Sequence, residues 1–122
     1  EILKKISSHK IDTSIAKILM MGITFKENVS DIRNSKAIEI AKYLADKNLE
    51  ISFYDPNVKK YYLKNEMKKI SRFPNKSKYD VIIVAVKHKE FLNFSPIKFL
   101  KKNGFVFDVK GFLDIDKRIY RL

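Results

Sequence analysis

Apolar and polar positions follow two different periods along this chain, and the switches between them predict its architecture. A continuous apolar run, Ile18-Leu19-Met20-Met21, stops at Gly22 and gives way to a charge-dense stretch carrying Lys26, Glu27, Asp31 and Arg33. Asn34 and Ser35 then open a segment in which Ala37, Ile38, Ala41, Leu44 and Ala45 recur at helical spacing, with Lys36, Glu39, Lys42 and Asp46 opposite. A buried strand, a charged loop and an amphipathic helix over 35–48 make the first turn of a βα unit, the place where such folds hold ligands. Asn48 is suited to end that helix in the left-handed conformation.

The alternation repeats further on. Glu50–Tyr54 is a short strand rich in β formers, ended by Asp55-Pro56, and the pattern predicts a helix over Asn57–Lys69 with Asp55 as its cap. Residues 71–79 are polar, contain Pro74 and read as a loop with room for a short edge strand. Asp80–Val86 is a continuous β-branched run, as a central parallel strand covered on both faces requires. Short helical pieces are expected at Lys89–Phe94 and Pro96–Lys102, then a strand at Phe105–Val109 after Gly104, and an edge strand at Arg118–Leu122. Strands at 18–23, 50–54, 81–86 and 105–109, each separated by helical sequence, imply right-handed crossovers. The fold class is α/β: a Rossmann-like three-layer fold with a parallel sheet of about 4–6 strands. Residues 1–14, with Ile2, Leu3 and Ile6 at helical spacing, read as the end of a preceding helical region and a linker, which makes 15–122 the domain proper.

Composition narrows the function classes. A length of 122 residues and 45% hydrophobic content suit one core. No run approaches the roughly 18 apolar residues of a membrane span, and no signal peptide is apparent, so the chain reads as cytoplasmic. The absence of cysteine excludes disulfides, thiolate metal sites and a cysteine nucleophile in these residues. His9 and His88 are too isolated for a metal cluster. The net charge of +12 admits a nucleic-acid-binding or assembly module as the alternative class. Yet only Arg33, Arg72, Arg118 and Arg121 of the 26 cations are arginines, and the lysines are scattered with few aromatics among them. That is the pattern of a solvated surface, and nucleic acid is not the expected partner.

In a parallel sheet the ligand lies beyond the carboxyl ends of the strands, so Thr24–Arg33, Asp55, Lys87-His88 and Lys110-Gly111 are the candidates. The first loop has one glycine where a dinucleotide fingerprint has three, and no Walker A pattern, so its backbone does not cradle a pyrophosphate. It does offer Lys26 and Arg33 before a helix start, which suits an anionic ligand. The same residues could equally pair as Lys26–Glu27 and Asp31–Arg33 and merely stiffen the loop. Asp55 stands where dinucleotide folds place a ribose-binding acid, although a helix cap accounts for it better. His88 has no acid–base partner visible in the sequence and is best read as the start of the next element. Lys110, just past a strand end, faces the same cleft as Lys26, and two cations converging there suit a phosphate-bearing ligand. A response-regulator receiver needs paired acids after the first strand, and Gly22-Ile23-Thr24 supplies none.

Four stretches carry a resemblance: Gly22-Ile-Thr-Phe-Lys-Glu-Asn28, Asp31-Ile-Arg-Asn-Ser35, Tyr54-Asp-Pro56 and Asp108-Val-Lys-Gly111. In order and spacing they resemble the C-terminal domain of the UDP-glucose/GDP-mannose dehydrogenases, from about Ile15 to the end. The wording is nearer to the UDP-N-acetylhexosamine branch, which feeds capsule, Vi-type polysaccharide or O-antigen synthesis, than to the UDP-glucose branch. The resemblance implies a homo-oligomeric parent with an N-terminal NAD-binding domain, a central dimerisation region and this C-terminal domain, which completes the site for the UDP-sugar substrate. Such a parent oxidises the sugar C6 hydroxyl to a carboxylate in two NAD-dependent steps through a cysteine thioester. The cysteine lies upstream in the family, so no catalytic residue is expected here and the fragment alone should be inactive. By position, Phe25 and Lys26 resemble the Phe-Lys pair that contacts the sugar nucleotide. Arg33 matches the arginine that reaches toward the cofactor, NAD, which the absent domain mainly holds. Lys110 stands where the glucose-type enzymes carry an arginine; it keeps the charge and loses the bidentate fork.

Overall fold

The computed structural model describes residues 1–58, 67–69 and 78–121. Helix α1 (Ile2–Ser8) leads into β1 (Lys17–Met21), α2 (Lys36–Ala45), β2 (Glu50–Tyr54) and β3 (Met67–Lys69). The chain then runs through β4 (Tyr79–Val84), two 3₁₀ turns at Lys89–Phe91 and Pro96–Phe99, β5 (Leu100–Asp108) and β6 (Ile119–Arg121). Among the described residues the six strands are parallel, in the order β3-β2-β1-β4-β5-β6. The sheet grows outward from β1 in one direction, then restarts at β4 on the other side of β1. That reversal makes a switch point between β1 and β4, where the chain leaves two adjacent strand ends toward opposite faces and opens a crevice.

The period-2 geometry of strands explains why β1 and β4 are apolar throughout. Ile18, Met20, Val81, Ile83, Phe105 and Phe107 face one side, where Ile6 of α1 and Ala37, Ile38, Ala41 and Leu44 of α2 cover them. Leu19, Met21, Ile82, Val84 and Val106 face the other, under Phe91, Leu100 and Leu113. The expected three layers are present, although the second face is covered among the described residues by 3₁₀ turns and loop. Helix α2 starts where the pattern places it: Ser35 Oγ accepts from the Ile38 amide at 3.2 Å, and Asn48, at φ +64°, follows the helix.

Three expectations need correction. The helix over Asn57–Lys69 does not extend through its ends: Asn57 lies in a turn and Met67–Lys69 is an edge strand paired with Ile51–Phe53; residues 59–66 lie outside the described residues. Pairing with β2 outweighs a patchy helical pattern. The loop reading of 71–79 likewise falls largely outside them. The helical piece at Pro96–Lys102 ends at Phe99, and β5 begins at Leu100, well before Gly104. An irregularity hides this start, since β4 steps from Tyr79 to Val81 while β5 steps from Leu100 to Phe105. The extra residues, Lys101 to Gly104, are polar or lack a side chain, so they carry no strand pattern. Arg118 donates to the carbonyls of Lys101 and Gly104 that the irregularity frees, at 2.7 and 3.1 Å. A side chain at Gly104 would stand 2.7 Å from the Asp80 carbonyl oxygen.

Candidate functional site

The crevice is built by four strand exits, each tied down by its own sequence. Gly22 turns the chain out of β1 at φ +89°, and a Cβ there would lie 2.7 Å from Val86 Cβ, so the loops leaving β1 and β4 approach as closely as backbone allows. The loop that follows carries Phe25, Lys26 and Glu27, all exposed, between the buried Thr24 and the left-handed Asn28 at φ +60°.

Beneath it lies a buried polar cluster. The Asp55 carboxylate at the end of β2 is fully enclosed: Oδ2 accepts from the Ile23 amide at 2.7 Å and stands 3.0 Å from His88 Nε2, while Oδ1 accepts from the Asn57 amide at 2.8 Å. His88, past β4, is also fully buried, with Nε2 3.1 Å from Thr24 Oγ1 and Nδ1 accepting from the Asn28 amide at 2.9 Å. Asp55 therefore caps its turn, as the better of the two sequence readings has it, and no face of its carboxylate is left for a ribose. The His88–Asp55 pair was invisible in the sequence, because the residues are separated by 33 positions and meet only once β2 and β4 flank β1. Asn57 was missed for the same reason, and Thr24 and Asn28, though inside the candidate stretch Thr24–Arg33, had no visible partner.

The rest of the loop is held by Asp31. Its main-chain oxygen accepts from the Phe25 amide at 2.6 Å. Its carboxylate takes Arg33 in a fork, Nε to Oδ1 at 3.1 Å and Nη2 to Oδ2 at 3.0 Å. These hydrogen bonds hold the Asp31 carboxyl below its ordinary range and the Arg33 guanidinium above its own. Local pairing is thus real for Asp31–Arg33, whereas no Lys26–Glu27 ion pair forms. Arg33 remains 85% exposed, and a shallow cavity of about 150 Å³ opens between Phe25, Asp31, Arg33 and Asn34. At the end of β5 the buried Asp108 accepts from the Gly111 amide at Oδ1 and the Leu113 amide at Oδ2, both at 2.8 Å. This shapes the turn that presents Lys110, exposed two strands away from Lys26 on the same edge of the sheet. Among the described residues no ion-pair partner engages either lysine, and no three His, Asp or Glu side chains gather as metal ligands would.

Such an edge, with an exposed aromatic ring, free cations and no buried carboxylate facing outward, suits an anionic ligand with an aromatic or sugar face. Comparison with known proteins agrees. Residues 19–115 match the profile of the UDP-glucose/GDP-mannose dehydrogenase family, UDP binding domain. The whole chain is 35% identical to part of the UDP-N-acetyl-D-glucosamine 6-dehydrogenase of Pseudomonas aeruginosa, and 99% of it is 31% identical to part of Protein CapL of Staphylococcus aureus. It spans 30% of the length of each of these two relatives. Among solved structures, the NDP-N-acetyl-D-galactosaminuronic acid dehydrogenase of Methanosarcina mazei superposes on 99% of the chain with a TM-score of 0.77. That match uses 27% of its own length at 18% identity and attests the fold. The chain belongs to the UDP-glucose/GDP-mannose dehydrogenase family, of which it carries the UDP-binding domain.

Proposed function

We propose that this chain is the sugar-nucleotide half of an NAD-dependent UDP-sugar 6-dehydrogenase. The parent would oxidise the C6 hydroxyl of a UDP-N-acetylhexosamine or UDP-glucose to the uronic acid for surface polysaccharide synthesis. The observation that carries the reading is the exposed Phe25-Lys26 pair at the switch point, in a chain whose family profile is that of a UDP-binding domain. Phe25, 54% exposed, offers a ring face to the nucleotide or sugar, and Lys26 and Lys110 bring charge to the diphosphate. The relatives with UDP-N-acetylhexosamine names support the acetylated sugars as the first to test.

The residues here do not form a dinucleotide site of their own. The first loop has one glycine, and Asp55 is spent on Ile23, Asn57 and His88. NAD is accordingly assigned to an upstream domain, with Arg33 alone reaching toward it, and this chain supplies binding and orientation. Without a cysteine it has no nucleophile for a thioester, and it is inactive by itself. Residues 1–14 are assigned to the end of a central dimerisation region and its link, and 15–122 to the UDP-sugar domain. The buried Ile6 supports a firm seat for that link on the sheet. The parent is taken to be a cytoplasmic homo-oligomer; no helix among the described residues is long and apolar enough to cross a membrane.

Calorimetric titration of UDP-N-acetylglucosamine, UDP-N-acetylmannosamine and UDP-glucose against the full-length protein tests this. One of them should bind, and Lys26→Ala should weaken it about tenfold, the loss of one charge-assisted contact. Unchanged affinity in Lys26→Ala would remove the loop from the site.

A further inference from the structure

The two fully buried titratable side chains beneath the Phe25-Lys26 loop have no part in the proposed chemistry, yet His88 bonds both ends of that loop, at Thr24 and Asn28. The position of the ring proton of His88 follows from its neighbours. The Asn28 main-chain N–H points at Nδ1 from 2.9 Å, and the Asn57 side-chain nitrogen lies 3.0 Å from the same atom. A main-chain N–H can only donate, so Nδ1 is the acceptor and the proton sits on Nε2. From there it is given to Asp55 Oδ2 at 3.0 Å, with Thr24 Oγ1 at 3.1 Å beside it. The Thr24 hydroxyl sends its own proton to the Lys26 carbonyl at 2.8 Å. The Lys89 amide closes the circuit by donating to Asn28 Oδ1 at 2.9 Å.

These bonds fall on Thr24, Lys26 and Asn28 and leave the side chains of Phe25 and Lys26 outside. The ring is linked through Asp55 to the end of β2, through Lys89 to the exit of β4, and through the Ile23 amide on Asp55 to the exit of β1. We propose that His88 is the positioning residue of the sugar-nucleotide loop: with Asp55 it locks Thr24 to Asn28 to the sheet, so that Phe25 and Lys26 are held ready for ligand. Ordering a five-residue loop at the moment of binding would otherwise be charged against affinity. The inference rests on the reading of Phe25-Lys26 as ligand contacts.

Two conservative substitutions in the full-length protein separate the ends of the ring. The amide of Asn overlays Nδ1, and that of Gln overlays Nε2. His88→Gln therefore keeps a donor for Asp55 and loses the acceptor for Asn28, while His88→Asn does the reverse. With UDP-N-acetylglucosamine and UDP-glucose as probes, His88→Gln should raise Kd and KM for the sugar nucleotide about tenfold. It should leave kcat and the KM for NAD within about twofold, and speed amide exchange across Thr24–Asn28. His88→Asn should recover most of the affinity and the protection. A general loss of stability would give no such split between KM and kcat and no such order between the two variants. Should either variant fail to fold, Asn28→Gly on the exposed loop removes only the Lys89 contact, and a rise in Kd of about threefold is expected. Affinity unchanged in His88→Gln and Asn28→Gly, while Lys26→Ala loses it, overturns the proposal. Affinity unchanged in Lys26→Ala as well overturns the ligand role of the loop, which is a different failure.

Discussion

Two carboxylates stand at strand exits and a third in the loop before α2, and burial sets what each can do. Asp55 and Asp108 are buried and spend their oxygens on main-chain amides, which organise loops. Asp31 is half-buried and spends its oxygens on Arg33. Because the Asp31 carboxyl is held below 3.8 when folded, protonation is disfavoured in the folded state. Its contribution is full above that value and is lost only as pH falls through the lowered one. The Arg33 fork should therefore survive unchanged from pH 8 to pH 5, and the Arg33 Nε–H resonance should begin to move only below about pH 4. Gly22 has a larger stake. Gly22→Ala forces a side chain into φ +89° and onto Val86, and should cost at least about 2 kcal/mol in thermal unfolding. The exposed positions of Lys26 and Lys110, in the segments that leave β1 and β5, were legible in the sequence because the strand ends were. The His88–Asp55 partnership was not, since nothing local to either residue names the other.

Among the elements, α2 was read most closely, because a cap, an apolar stripe and a left-handed Asn all agree there. Ser35→Ala should remove the hydrogen bond to Ile38 and lower stability by about 1 kcal/mol, measured by urea unfolding. The short 3₁₀ turn at Lys89–Phe91 matters beyond its length, since it drops Phe91 into the second face of the sheet at 0% exposure, edge-on to His88 at 5.5 Å. Phe91→Ala should cost about 3–5 kcal/mol and loosen His88 as well, visible as faster amide exchange at Asn28. Elements whose identity depends on a neighbour were the ones misread. Met67–Lys69 is a strand because β2 offers an edge, and β5 starts early because Arg118 satisfies an irregular stretch. Neither cause lies in the segment itself.

At the scale of the molecule, α/β class and parallel pairing were legible from periodicity, whereas the strand order that creates the crevice was not. Order is set by which apolar faces find each other, and many orders share one alternating pattern. One further tie spans nearly the whole chain. His9, at the end of α1, has Nε2 2.8 Å from Tyr120 Oη in β6 and lies against Phe105, while Lys5 sits 4.1 Å over the Tyr120 ring. Helix α1 thus docks partly on β6, more than a hundred residues further along the chain. It has to wait through the synthesis of everything between, and loop-closure entropy makes such distant partners late. The domain should accordingly fold inward-out, with β1 and β4 pairing early and α1 settling at the end. Pulse-labelled hydrogen exchange during refolding should protect Ile18–Met21 before Ile2–Ser8, and Tyr120→Ala should slow the second phase while leaving the first untouched.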